Sequence, residues 1–113
     1  MARVLAVIPD LMLSSKVSGM LGAAGHEVSV VANPPRPEGF DFDLIVCDLE
    51  SVDPAVIASL AAPAIGFYSH VDVETRDRGR EAGLELVVPR SRMARELPDL
   101  AASLLVRRQD SDA

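Results

Sequence analysis

Asp10, Asp48 and the pair Ser69-His70 each follow a short apolar run, and that shared placement is the main chemical signal in this sequence. Two carboxylates brought to one spot can hold a hard divalent cation such as Mg2+ through oxygen ligands. A carboxylate beside such a cation can act as a nucleophile toward a phosphoryl donor. Glu50, two residues beyond Asp48, offers a further carboxylate, so Asp10, Asp48 and Glu50 are the candidate metal ligands. The competing reading is structural: an Asp after a strand commonly caps the helix that follows. Spacing alone does not separate the two.

The elements that must position these groups alternate along the chain. Arg3–Ile8 is a short Val- and Ile-containing run closed by Pro9-Asp10, which reads as a buried strand. Leu13, Val17, Met20 and Leu21 follow helical spacing, and Gly25 ends that helix after about Ala24. Glu27–Ala32 is a second strand. Asn33 to Gly39 then holds three prolines in four positions, which cannot propagate a helix. Asp43–Cys47 is a third strand. Asp53 and Pro54 open a helix that runs to about Ala61. Ala64–Tyr68 is a strand, Val73–Ala82 a polar helix closed by Gly83, and Leu84–Val88 a fifth strand stopped by Pro89. Arg92–Val106 is a final helix with a kink or restart at Pro98. The domain is thus expected over 1–106, with a flexible polar tail at 107–113.

This order predicts an α/β fold, a five-stranded parallel sheet covered on both faces. The common strand order 2-1-3-4-5 makes strands 1, 3 and 4 neighbours, so the tips carrying Asp10, Asp48 and Ser69 converge on one crevice.

The pattern resembles the response-regulator receiver domain over roughly Ala2 to Leu105. Its best local matches are DLIVCDLES (Asp43–Ser51) and REAGLELVVPRS (Arg80–Ser91). The resemblance implies that Asp48 is the phosphoacceptor, that Pro9-Asp10 stands where an acidic pair binds Mg2+, and that Ser69 senses the phosphoryl group. It implies a Lys after the fifth strand, where this chain has Pro89 and then Arg90. Arg90, one residue along, is expected to point elsewhere unless the chain bulges. One acidic residue and one cation of the pattern are therefore missing. The receiver's second helix is also missing, replaced by the Pro-rich loop. That leaves one sheet face under-covered, with Phe40 and Phe42 either folding back as a lid or facing a partner.

Other residues carry plainer readings. Cys47, the single cysteine, lies in a strand and is expected to be an inert core thiol. His26 belongs to a turn, and His70 is a surface group able to titrate. The Arg76–Glu81 run is read as the solvated face of its helix, with a lesser reading as a binding surface. There is no G-x-G-x-x-G after the first strand, where VIPDLMLSS stands, and no Walker A motif. Ser14-Ser15 lack the Gly and Thr pattern of a flavin phosphate loop, and Cys and His are too few for zinc. The net charge of −6 argues against nucleic acid. No apolar run reaches membrane-spanning length, no signal peptide is read, and one cysteine fits a reducing cytoplasm.

These readings converge on a receiver-like adaptor, not an enzyme, that works by protein–protein binding without phosphorylation, through a protein partner or a homodimer. Self-association is expected at the under-covered face or near the Val73–Ala82 helix and the fifth strand. Two alternatives are a working phosphoacceptor using Asp48 and Mg2+, and a small-molecule or nucleotide binder in the same crevice.

Overall fold

The computed structural model describes residues 2–69 and 71–112, with side chains described through residue 106. The expectation for His70 therefore lies outside the described residues. Nine elements follow in order: β1 (Arg3–Val7), α1 (Leu11–Ala23), β2 (Glu27–Val31), β3 (Leu44–Asp48), α2 (Pro54–Ala58), β4 (Ala64–Tyr68), α3 (Val73–Glu81), β5 (Leu86–Pro89) and α4 (Arg90–Asp112). All five strands are parallel, in the order β2-β1-β3-β4-β5.

Burial on both faces explains why the central strands are continuously apolar. Every residue of β3 and β4 is buried. Alternate residues of these strands feed two cores. Val4, Ala6, Val46, Ile65 and Phe67 face α1 and α4, where Val17, Leu21, Met93 and Leu97 meet them. Leu5, Val7, Ile45 and Cys47 face the opposite side, toward Ile57, Leu60 and Leu84.

That second side has only α2, five residues long, and α3 as helical cover. The expected open face is nevertheless closed. Phe40 and Phe42 fold back from the Pro-rich loop and pack on the second core. Their ring centroids stand 5.4 Å apart with planes tilted at 51°. Arg3 pins the loop from β1: its guanidinium lies 4.9 Å from the Phe42 ring centroid and 2.7 Å from Asp41 Oδ2. The backbones of Arg3 and Asp43 also bond, Asp43 N–H donating to the Arg3 carbonyl at 2.8 Å. Two partly buried aromatic rings thus take over covering work that a helix would do on that face.

Boundaries shift where caps act. Asp10 accepts from Met12 N and Leu13 N and starts α1 two residues early. Gly25, Gly39 and Gly83 hold positive φ, of 94°, 74° and 90°. Gly25 and Gly83 are the turns after α1 and α3 that only glycine takes without strain. The final helix starts at Arg90 and continues through Pro98 to Asp112. No Gly or Pro follows Pro98, so the sequence holds no breaker at the boundary expected after Val106.

Gly22, near the end of α1, has open space where a Cβ would stand. Gly22→Ala is expected to stabilise the protein by roughly 0.5–1 kcal/mol through helix propensity and a less flexible unfolded chain. Urea unfolding with an unchanged slope checks this.

Candidate functional site

The parallel register puts the carboxyl ends of β1, β3 and β4 side by side, and the crevice of this fold lies there. Asp48 closes β3 and is 4% exposed. Its Oδ1 accepts from the Glu50 N–H at 3.0 Å, and its Oδ2 accepts from the Ser51 hydroxyl at 3.4 Å. The Asp48 carbonyl accepts from Ser51 N and Val52 N. The carboxylate thus organises the turn that follows its own strand.

Leu49 fixes that turn in the core. Its N–H donates to the Phe67 carbonyl of β4 at 3.0 Å. Its side chain, 3% exposed, lies over Gly66 of β4 and against Gly79 of α3. Glycine at both positions leaves the room that a leucine needs between strand and helix.

Glu50 reaches across the crevice. Its Oε1 accepts from the Ser69 backbone N–H at 2.7 Å, and its Oε2 lies 3.9 Å from Arg90 Nη2. One carboxylate therefore ties the β3–α2 loop to the β4–α3 loop and to the first residue of α4. Arg90 does point into the site, contrary to the expectation: α4 begins at Arg90, and its long side chain turns back over the strand ends. Ser69 is also at the site, but it engages through its backbone amide.

Asp10 stands at the adjacent strand tip and serves the backbone. Its Oδ1 accepts from Met12 N at 2.9 Å and Leu13 N at 3.0 Å, so the capping reading holds. Ser14 is likewise turned inward, 4% exposed, with its hydroxyl donating to the Leu11 carbonyl at 3.1 Å. Among the described residues, no three His, Cys, Asp or Glu side chains are grouped to hold a metal ion. The three carboxylates expected as ligands, Asp10, Asp48 and Glu50, each have protein partners here. Asp10 is spent on α1, and Glu50 is turned to an amide and a guanidinium. These side chains do not fit Mg2+ as a three-carboxylate site.

Two flanking groups complete the picture. Burial, and then the neighbouring Asp48 charge, push the Cys47 thiol up to about 12, so it stays protonated and unreactive at neutral pH. Asp72 caps α3 by accepting from Thr75 Oγ1 at 2.6 Å and Thr75 N at 3.1 Å. Those bonds, with Arg78 adding attraction, hold its carboxyl below the ordinary value. The Glu50 network carried no signal beyond position: only the fold shows that a side chain two residues past β3 can reach the ends of β4 and β5.

No protein-family model matches the sequence, and no curated protein does. Solved structures do match. A receiver domain protein from Clostridium thermocellum superposes with a TM-score of 0.81 at 12% identity, over 96% of this chain and 98% of that one. The receiver domain of a sensor histidine kinase from Pseudomonas aeruginosa, solved with magnesium in its active-site cleft, gives 0.78 at 17% identity, over 92% and 97%. A Francisella response regulator receiver domain gives 0.76 at 16%, over 95% and 98%. Likeness at these identities is a likeness of fold. The chain has the response-regulator receiver fold.

Proposed function

We propose that this protein is a receiver-fold adaptor that acts by binding another protein, and that it holds its crevice closed with its own carboxylate and without phosphorylation. The observation that carries this reading is Glu50, placed on the Ser69 amide and beside Arg90. An anion already bridges the β3, β4 and β5 ends, which is the place the receiver resemblance gives to a phosphoryl group. The reading also draws on Pro9 and Pro89, which stand where that resemblance calls for an acid and a cation. The crevice is flanked by exposed apolar residues on both sides, Leu11 and Met12 on α1 and Val71 and Val73 before and in α3. A rim of that kind suits a protein partner better than a small polar ligand. The reading entails no catalysis and a cytoplasmic location, where Cys47 stays reduced.

A second reading has its own support. The Asp48 carboxylate accepts only from an amide and a hydroxyl among the described residues, with no cation against it. Such a group remains available as a phosphoacceptor once its loop opens. One experiment decides between the two. With beryllofluoride and Mg2+ at millimolar levels, the adaptor reading expects amide spectra of the wild type and of Asp48→Asn to stay unchanged around residues 66–72. A saturable change in the wild type that Asp48→Asn abolishes would establish the phosphoacceptor and end the adaptor reading.

A further inference from the structure

β2 is an outer strand of the sheet, paired only with β1. Such an edge presents unpaired peptide groups, and proteins usually protect it with proline, charge, a bulge or a covering segment. The opposite edge has such protection: β5 is four residues long and ends in Pro89. β2 reads Glu-Val-Ser-Val-Val, with one charge, at its first residue, and no proline.

The direction of its free groups follows from two bonds. Glu27 N–H donates to the Ala2 carbonyl, and the Val31 carbonyl accepts from Ile8 N. Peptide groups alternate sides along a strand, so Glu27, Ser29 and Val31 turn theirs toward β1. Val28 and Val30 turn theirs to the open edge. Val30 is also an exposed large apolar residue, at 44%. A surface groove of about 450 Å³ lies beside it, lined by Ser14, Ser15, Ser18 and Gly19 of α1. A Cβ added at Gly19 would meet nothing there.

We propose that β2 pairs with β2 of a second copy in antiparallel fashion about a twofold axis at Ser29, giving a continuous ten-stranded sheet. This register is self-complementary. Val28 faces the partner copy's Val30, and each pair exchanges both N–H···O bonds, which uses the groups that the edge leaves free. Val28 and Val30 share the α1 side of the sheet, so four valines from the two copies meet there. They fill the grooves that the small residues of α1 leave open. The two Glu27 carboxylates fall at opposite ends of the joint, about 13 Å apart along four residues of strand, and do not repel strongly. A second copy is the occupant that the edge fits, because the same five residues supply both halves of the match. This assembly does not depend on whether Asp48 is ever modified.

The test uses the full chain. Wild-type protein is expected to sediment at twice the 12.0 kDa of one chain, and Val30→Lys, a charged guard on an exposed edge position, as the monomer. Ser29→Cys is expected to crosslink to itself under mild oxidation, because residues facing across a non-hydrogen-bonded pair stand about 4.5 Å apart at Cα. Glu27→Cys, opposite Val31 of the partner copy, is expected not to crosslink. Cys47 is buried and stays out of the reaction. A wild-type monomer at millimolar concentration would overturn the proposal. So would a dimer that survives Val30→Lys, or one in which Ser29→Cys fails to crosslink.

Discussion

Gly66→Ala is expected to destabilise the protein by about 2 kcal/mol, within the range of roughly 1–3 for forcing a methyl group into a filled core. An added Cβ would stand 2.7, 2.8 and 3.0 Å from Cδ1, Cγ and Cδ2 of Leu49. Leu49 has little room to yield, because its Cδ1 also lies close against Gly79 of α3, where a Cβ would stand 2.8 Å from it. The leucine is wedged between β4 and α3, so the cost falls on the loop that carries Asp48 and Glu50. Denaturant unfolding measures the loss. A double-mutant cycle tests its cause: with Leu49→Ala present, Gly66→Ala should cost much less than it does alone. Equal costs in both backgrounds would place the clash elsewhere.

Phe42→Ala is expected to cost about 2 kcal/mol. A fully buried Phe→Ala change costs roughly 3–5 kcal/mol, and Phe42 is half-buried, so about half applies. That loss includes the contact with the Arg3 guanidinium over its ring, about 0.5–1 kcal/mol. A drop of this size lowers the melting temperature by about 6–10 °C in a domain of this length. A second readout distinguishes loss of a lid from general loosening. The variant should bind a hydrophobic dye at temperatures where the native fold persists, because Leu5, Val7 and Ile57 lose cover on that side. If dye binding and stability both match the wild type, the aromatic pair is not what closes the sheet.

These two positions show what the sequence could and could not disclose. Strand existence and order were legible because β3 is apolar up to Asp48 and β4 is apolar up to Tyr68, and because Gly25, Gly83 and Pro54 mark the elements between them. The missing receiver helix was equally plain in Asn33 to Gly39. That Phe40 and Phe42 would close the gap was not, since an aromatic in a loop can face either way, and the Arg3 guanidinium that lies over the Phe42 ring is remote from it in sequence. Convergence of the strand tips carrying Asp10, Asp48 and Ser69 followed from strand order, whereas the turn of Arg90 toward Glu50 did not. Nor did the use made of these groups. Asp10 has the same type and placement whether it caps a helix or holds a cation, and the bonds of its Oδ1 to Met12 N and Leu13 N are visible only in the fold. Glu50 is set by reach across the crevice, which no local pattern encodes.

The strut formed by Glu50 is the centre of this account, and the Ser69 amide reports on it directly. Hydrogen exchange at Ser69 N–H should be slow in the wild type and at least tenfold faster in Glu50→Ala, while core amides of β3 and β4 keep their protection. Unchanged exchange at Ser69 in Glu50→Ala would mean that the carboxylate does not hold the β4–α3 loop, and the internally closed crevice would have to be abandoned.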